Sequence, residues 1–188
     1  MNTCDGEYLI SKIIEKRALP THKQLFNLYL RKSNSEEITE IDLVYIDRTG
    51  IYVVESKNYS GWIFGKEEQF KWTQTLPNKQ KFTFYNPVKQ NDTHIKALQQ
   101  ALQLESHFFQ SVIVFSERCT LKSVSIKRQN VNVIKRNDLS AYIAKHSKRS
   151  YLLSYNEIEE IYLQLLLHCS VADQIKQKHI ETIQEKYK

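Results

Sequence analysis

Asp42, Glu55 and Lys57 carry charge where the surrounding sequence is apolar. They sit in IDLVYI (Ile41–Ile46) and YVVESKN (Tyr52–Asn58), joined by Asp47-Arg48-Thr49-Gly50. Both segments are rich in β-branched and aromatic residues, and Asp-x-x-Gly signals a tight turn, so the two read as a hairpin. Two carboxylates and a lysine on buried strands are costly unless compensated, and a bound divalent cation is one compensation. Phosphodiester hydrolysis uses such a set: a carboxylate-held cation activates water and stabilises charge, and a lysine suits a place beside that water. Side chains alternate along a strand, so Glu55 and Lys57 share a face. With Arg48-Thr49 as the loop, Asp47 pairs with Gly50, and Asp42 faces Glu55 closely enough to share a metal. With Gly50 as a bulge after a type I turn, Asp42 lies opposite Ser56 instead, unless a second irregularity restores the pairing. The plain alternative is a surface hairpin with solvated or paired charges. Against it, Ile41, Val44, Ile46, Ile51, Val53 and Val54 occupy both faces, which suits a central hairpin buried on two sides.

The run EIDLVYIDRTGIYVVESKNYSGWIFG resembles the core of the nuclease-related domain (NERD) family, within the PD-(D/E)XK nuclease superfamily. Further pieces follow in the family's order. Gly6-Glu7 opens a helix, FYNPVKQNDTHIKAL (Phe84–Leu98) looks like the Asn-Pro-x-x-Gln segment leading into the second core helix, and SVIVFS (Ser111–Ser116) is the next strand. The resemblance covers about residues 4 to 145; each motif alone is weak, and the ordered set is specific. It implies that Asp42 and Glu55 bind Mg²⁺ or Mn²⁺ with the Ser56 carbonyl as a third ligand. It implies that Lys57 orients or deprotonates the attacking water. Glu7, on the first helix, would complete the acidic cluster or hold a second metal, and Gln90 would assist from the second helix. One departure is Leu43 after Asp42, where many relatives read Ile-Asp-His.

Composition narrows the classes. The 188 residues are 41% hydrophobic and 11% aromatic, which suits a folded globular chain, either one domain or a domain with an appended helical piece. No run approaches a membrane span, no signal peptide is visible, and no Gly-rich phosphate loop is present. Cys4, Cys119 and Cys169 form neither a disulfide framework nor a zinc pattern, and a reducing cytoplasm is the expected setting. The net charge of +6 favours a polyanionic partner, DNA rather than RNA under the resemblance. Lys66, Lys71, Lys79, Lys81 and Lys89 flank the site in sequence, among Trp62, Phe64, Phe70, Trp72, Phe82, Phe84 and Tyr85. Lysines neutralise backbone phosphate and aromatics stack unpaired bases, with Lys66, Lys71 and Lys89 the candidate contacts. Alternating aromatics on short strands equally suit core packing. His94 lies one helical turn after Gln90 and either faces the same cleft or is an ordinary exposed helix residue.

These residues must be held by a small set of elements. The sequence predicts a helix over 5–18 capped by Asp5, a strand over Gln24–Leu30, and the central hairpin. A smaller hairpin follows over Gly61–Trp72, then a polar loop over Thr73–Lys81 and a helix over Pro87–Leu104 started by Asn86-Pro87. SVIVFS and VNVIKR (Val131–Arg136) are strands, and Asn137 or Asp138 caps a following helix. The expected fold is α/β with a restriction-endonuclease-like core: a mixed sheet flanked by helices in the order αβββαβ. Residues 1–150 form the nuclease-like domain. Residues 151–188 form a helical extension, with helices over Glu157–His168 and Val171–Tyr187, that packs on the core or mediates a homodimer. The function expected is a metal-dependent nuclease; a non-catalytic nucleic-acid-binding module on the same scaffold is the alternative.

Overall fold

The computed structural model describes residues 4–33 and 35–169. In chain order it contains α1 (Cys4–Arg17), β1 (Lys23–Arg31), β2 (Ile38–Asp47), β3 (Gly50–Lys57), β4 (Gly61–Lys66), β5 (Lys71–Thr75) and β6 (Lys81–Tyr85). Then follow α2 (Pro87–Leu102), β7 (Phe109–Phe115), β8 (Cys119–Ser125), β9 (Val131–Lys135), α3 (Arg136–His146) and α4 (Tyr155–Leu166). The main sheet has the order β1-β2-β3-β7-β9, antiparallel through β3 and parallel from β3 to β9.

Alternation along the strands divides the core into two layers. Leu43, Tyr45, Tyr52, Val54, Val112 and Val114 pack under α1 and α3, which contribute Ile10, Ile14, Leu139 and Ile143. Val44, Ile46, Ile51 and Val53 pack under α2 and α4, which contribute Ala97, Leu98, Ile158, Ile161 and Leu165. The result is a mixed α/β sandwich with a C-terminal helix, consistent with a restriction-endonuclease-like core. The order αβββαβ holds, with three strands inserted before α2.

Those strands and β8 make a second sheet, β6-β5-β4-β8, that the sequence reading found only in part. The hairpin expected over 61–72 continues to Thr75, the loop expected over 73–81 lies mostly between β5 and β6, and β8 was not expected. These strands are short and rich in Lys, Thr and Ser, because only one face is buried, over Ile63 and Trp72. Helix starts also differ. Asp5 lies inside α1 rather than capping it, and α3 begins at Arg136, ahead of Asn137 and Asp138. Helix α2 ends at Leu102, where Gln103 turns left-handed at φ 54°. Helix α4 starts two residues before the expected position, at a capping box of Ser154 and Glu157. The helix expected over 171–187 lies outside the described residues.

The central hairpin takes the two-residue loop: Asp47 pairs with Gly50, and the register runs unbroken to Leu43 with Val54. Asp47 holds the turn by accepting hydrogen bonds from the Thr49 backbone N–H (2.7 Å) and the Tyr45 hydroxyl. Gly50 is required there: its φ is +133°, and a Cβ would lie 2.7 Å from the Phe108 carbonyl oxygen. With no bulge at Gly50, no second irregularity is needed to restore the hairpin pairing, but a separate one lies across β1 and β2. Asn27 has φ 50°, and the pairing skips from Phe26–Leu43 to Leu28–Ile41. Both strands change phase there: Ile41 and Leu28 join the layer under α2, while Leu43 and Phe26 join the opposite one. Asp42 sits at that step.

Candidate active site

The register places Asp42 at the level of Glu55, one step beyond the last paired residues, Leu43 and Val54. There the Asp42 carboxylate replaces a ladder acceptor: its Oδ2 takes the Ser56 backbone N–H at 2.9 Å. Glu55 and Lys57 share a face, and Lys57 Nζ lies 2.6 Å from Glu55 Oε1. Helix α2 closes over this face. Gln90 Oε1 accepts from Lys57 Nζ at 3.0 Å, and His94 Nδ1 lies 3.5 Å from Glu55 Oε2. The α2 frame is fixed by Asn86, whose Oδ1 caps Val88 N–H and whose Nδ2 donates to the carbonyls of Glu67 and Gln69. Buried Asn91 adds bonds to the Val53 carbonyl and Ser111 Oγ.

Burial controls the electrostatics. Glu55 is 2% exposed, and its carboxyl is pushed up to about 7, first by desolvation and then by the Asp42 carboxylate, against the pull of Lys57. Asp42 is raised by burial and held back by the Ser56 N–H and Lys57. His94 is pushed down to about 4 by burial and by Lys57, so its imidazole is neutral near pH 7. Glu55 Oε2 and His94 Nδ1 are both buried and make no hydrogen bond.

The remaining sequence-expected residues fall at varied distances from this centre. Glu7 lies in the first turn of α1, next to Gly6, which approaches the Ser56 side chain. Ser56 turns its side chain to the opposite face, where a Cβ on Gly6 would lie 2.9 Å from its Oγ. Lys66 and Lys71 lie on the second sheet, and Lys89 is in the first turn of α2. His94 is the residue that spacing alone left undecided: position i+4 from Gln90 placed it on the correct side, but its burial against Glu55 depends on the depth of α2. A cleft of about 390 Å³ opens nearby, lined by Gly6, Tyr8, Asn58, Ser116, Arg118 and Arg136. It lies at the carboxyl ends of the parallel strands β3, β7 and β9, where open α/β sheets commonly bind ligands.

The donor set suits a hard cation. Two carboxylates and a backbone carbonyl are oxygen ligands, and one oxygen of Glu55 is buried without a hydrogen bond. Among the described residues no three His, Cys, Asp or Glu side chains converge as a metal cluster. Mg²⁺ fits that limitation, because it is commonly held by one or two carboxylates together with water and phosphate.

The model of the nuclease-related domain family matches residues 4–116, from α1 through β7. The chain belongs to the NERD family. The NERD match contains Glu7, Asp42, Glu55, Lys57 and Gln90, and stops before β8, β9 and the last two helices. This NERD protein is 32% identical over 183 residues to an uncharacterized protein of Bacillus anthracis, covering 97% of this chain and 84% of the relative. It also resembles the crystal structure of a protein of unknown function, AF1548, at a TM-score of 0.38 and 12% identity. That alignment covers 76% of this chain and 64% of the other.

Proposed function

We propose that this protein is a metal-dependent nuclease that hydrolyses phosphodiester bonds, in DNA rather than RNA. The observation that carries the reading is the convergence of Asp42, Glu55, Lys57 and Gln90 at one end of the sheet. Family membership supports nuclease-related function in general. Asp42, Glu55 and the Ser56 carbonyl would hold Mg²⁺ or Mn²⁺, which when bound supplies water activation and charge stabilisation. Lys57 has three donors. Two are engaged by Glu55 and Gln90, and the third is available to orient the attacking water and offset phosphate charge. Gln90 fixes the lysine, and Glu7 would complete the acidic cluster or hold a second metal. Lys66, Lys71 and Lys89 would contact the nucleic-acid backbone. No described helix is long and apolar enough to cross a membrane, and a cytoplasmic setting belongs to this reading.

The test is cleavage of supercoiled plasmid, linear duplex and single-stranded oligonucleotide with Mg²⁺ or Mn²⁺, beside EDTA controls. Glu55→Ala is expected to abolish cutting and keep the folded circular-dichroism spectrum, and Lys57→Ala to lose cutting likewise. Undiminished cutting by Glu55→Ala would sink the assignment. Among the described residues no three His, Cys, Asp or Glu side chains form a metal cluster, and a binding module on the nuclease scaffold is the second reading. Salt-sensitive DNA binding without cutting of any substrate would select it.

A further inference from the structure

The second sheet has two unlike faces. Its inner face buries Ile63 and Trp72 against Ile113, Phe115 and Val88 of the core. Strand pairing defines the outer face: Trp62 aligns with Thr75 and Lys81, Phe64 with Thr73 and Thr83, and Lys71 with Tyr85. Alternation places Lys66 on that face as well. Trp62 and Tyr85 are 39% and 42% exposed on that face, beside the partly buried Phe64. None of the four strands contains an acidic residue, and every one contains a lysine. The acidic side chains in the β4–β5 turn are already engaged, Glu67 by Arg128 and Glu68 by Lys127.

We infer that this outer face docks an unpaired segment of DNA, with bases stacked on Trp62, Phe64 and Tyr85 and phosphates met by Lys66, Lys71 and Lys81. The inference rests on the nuclease reading and names the substrate form it takes. Single strands bind through basic tracks interleaved with aromatic platforms, because every base has a π-face and every linkage a charge. A duplex keeps its bases stacked internally and has none to offer the rings. A second copy of the chain is disfavoured, because a two-fold contact would set these lysines against one another. The location also fits. Strand β4 begins just after Lys57, β6 ends just before the Asn86 cap, and Gln90 follows within the first turns of α2. The sheet therefore leaves and rejoins the main chain at the candidate active site.

The test is binding of a fluorescein-labelled mixed-sequence 15-nucleotide DNA strand in EDTA, so that no cleavage intervenes, beside the same sequence as duplex DNA and as RNA. Trp62→Ala is expected to weaken single-strand affinity about fivefold or more, the effect of losing one stacked base, while duplex affinity changes less. Lys71→Glu is expected to weaken single-strand binding and flatten its salt dependence. Intrinsic fluorescence supplies a readout independent of variant stability. The chain has two tryptophans and Trp72 is fully buried, so single-strand binding should quench Trp62, and Trp62→Phe should bind without that quenching. Unchanged affinity in Trp62→Ala, no quenching of the natural protein, or a preference for duplex or for RNA would each overturn the inference. Glu55→Ala separates the two claims: loss of cutting with retained single-strand binding supports both, and retained cutting removes the site assignment while leaving this surface to its own test.

Discussion

Glu55 is held where its charge is least welcome. It is nearly inaccessible, faces Asp42, and has Lys57 as a close cation. The consequence for stability has a definite sign. The folded protein keeps a proton on Glu55 up to about pH 7, whereas an unconstrained glutamate releases it near 4.5. Between those values the native state binds more protons than the unfolded state, so stability falls as pH rises and stays lowered above the window. Glu55→Gln removes this dependence. Urea titrations at a series of pH values from about 5 to about 8 should show the natural protein losing stability relative to Glu55→Gln across that range. Parallel pH profiles would show that Glu55 does not titrate there. Destabilisation of this kind is the known cost of concentrating charge at a functional site. Asp42, Glu55 and Lys57 were legible in the sequence because charge interrupts an apolar β pattern. His94 was legible only as a spacing: whether a residue one turn from Gln90 meets Glu55 or solvent is decided by helix packing.

At the scale of elements, the hairpin turn sets the site. Asp47 is buried and accepts from Thr49 N–H and Tyr45, while Thr49 Oγ1 reaches Tyr52 at 2.6 Å. Burial and the nearby Asp47 charge raise Tyr52 to about 12, so it serves as a neutral hydrogen-bonding group. Removing the Asp47 carboxylate leaves buried donors without an acceptor, which costs about 2–6 kcal/mol when two are orphaned. Asp47→Ala should therefore lower the urea midpoint by an amount corresponding to that range. It should also reduce any cleavage, because a slip of one residue moves Asp42 from Glu55 toward Ser56. An unchanged midpoint would show that the turn does not depend on this carboxylate. The sequence left two registers open because an Asp-x-x-Gly turn serves both. Tertiary contacts choose between them: the Phe108 carbonyl closes off Gly50, and the paired phase change at Asn27 and Asp42 presents the carboxylate. Local propensity contains neither fact.

Across the whole molecule, apolar patterning reported burial more faithfully than it reported strand pairing. The second sheet escaped a full reading because its strands are five to seven residues long, and one side shows solvent a mixture of lysine, threonine and aromatic rings. Helix α4 was visible as an apolar segment, but its sequence is apolar on nearly every side and does not say which side packs. The structure chooses Ile158, Ile161, Tyr162 and Leu165, which join the layer shared with α2, β2 and β3, and leaves Leu163 and Leu167 exposed. The chain then returns to the sheet edge, where Tyr29 N–H meets the His168 carbonyl at 2.9 Å. A helix sharing the main core should melt with it. Leu165→Ala, at a fully buried position, should cost about 2–5 kcal/mol and lower a single cooperative guanidinium transition. Leu163→Ala, on the exposed side, should change stability by only about 0.5 kcal/mol. A separate early transition in the Leu165→Ala protein, with the rest of the melt unmoved, would show that α4 is an independent appendage to the nuclease-related core.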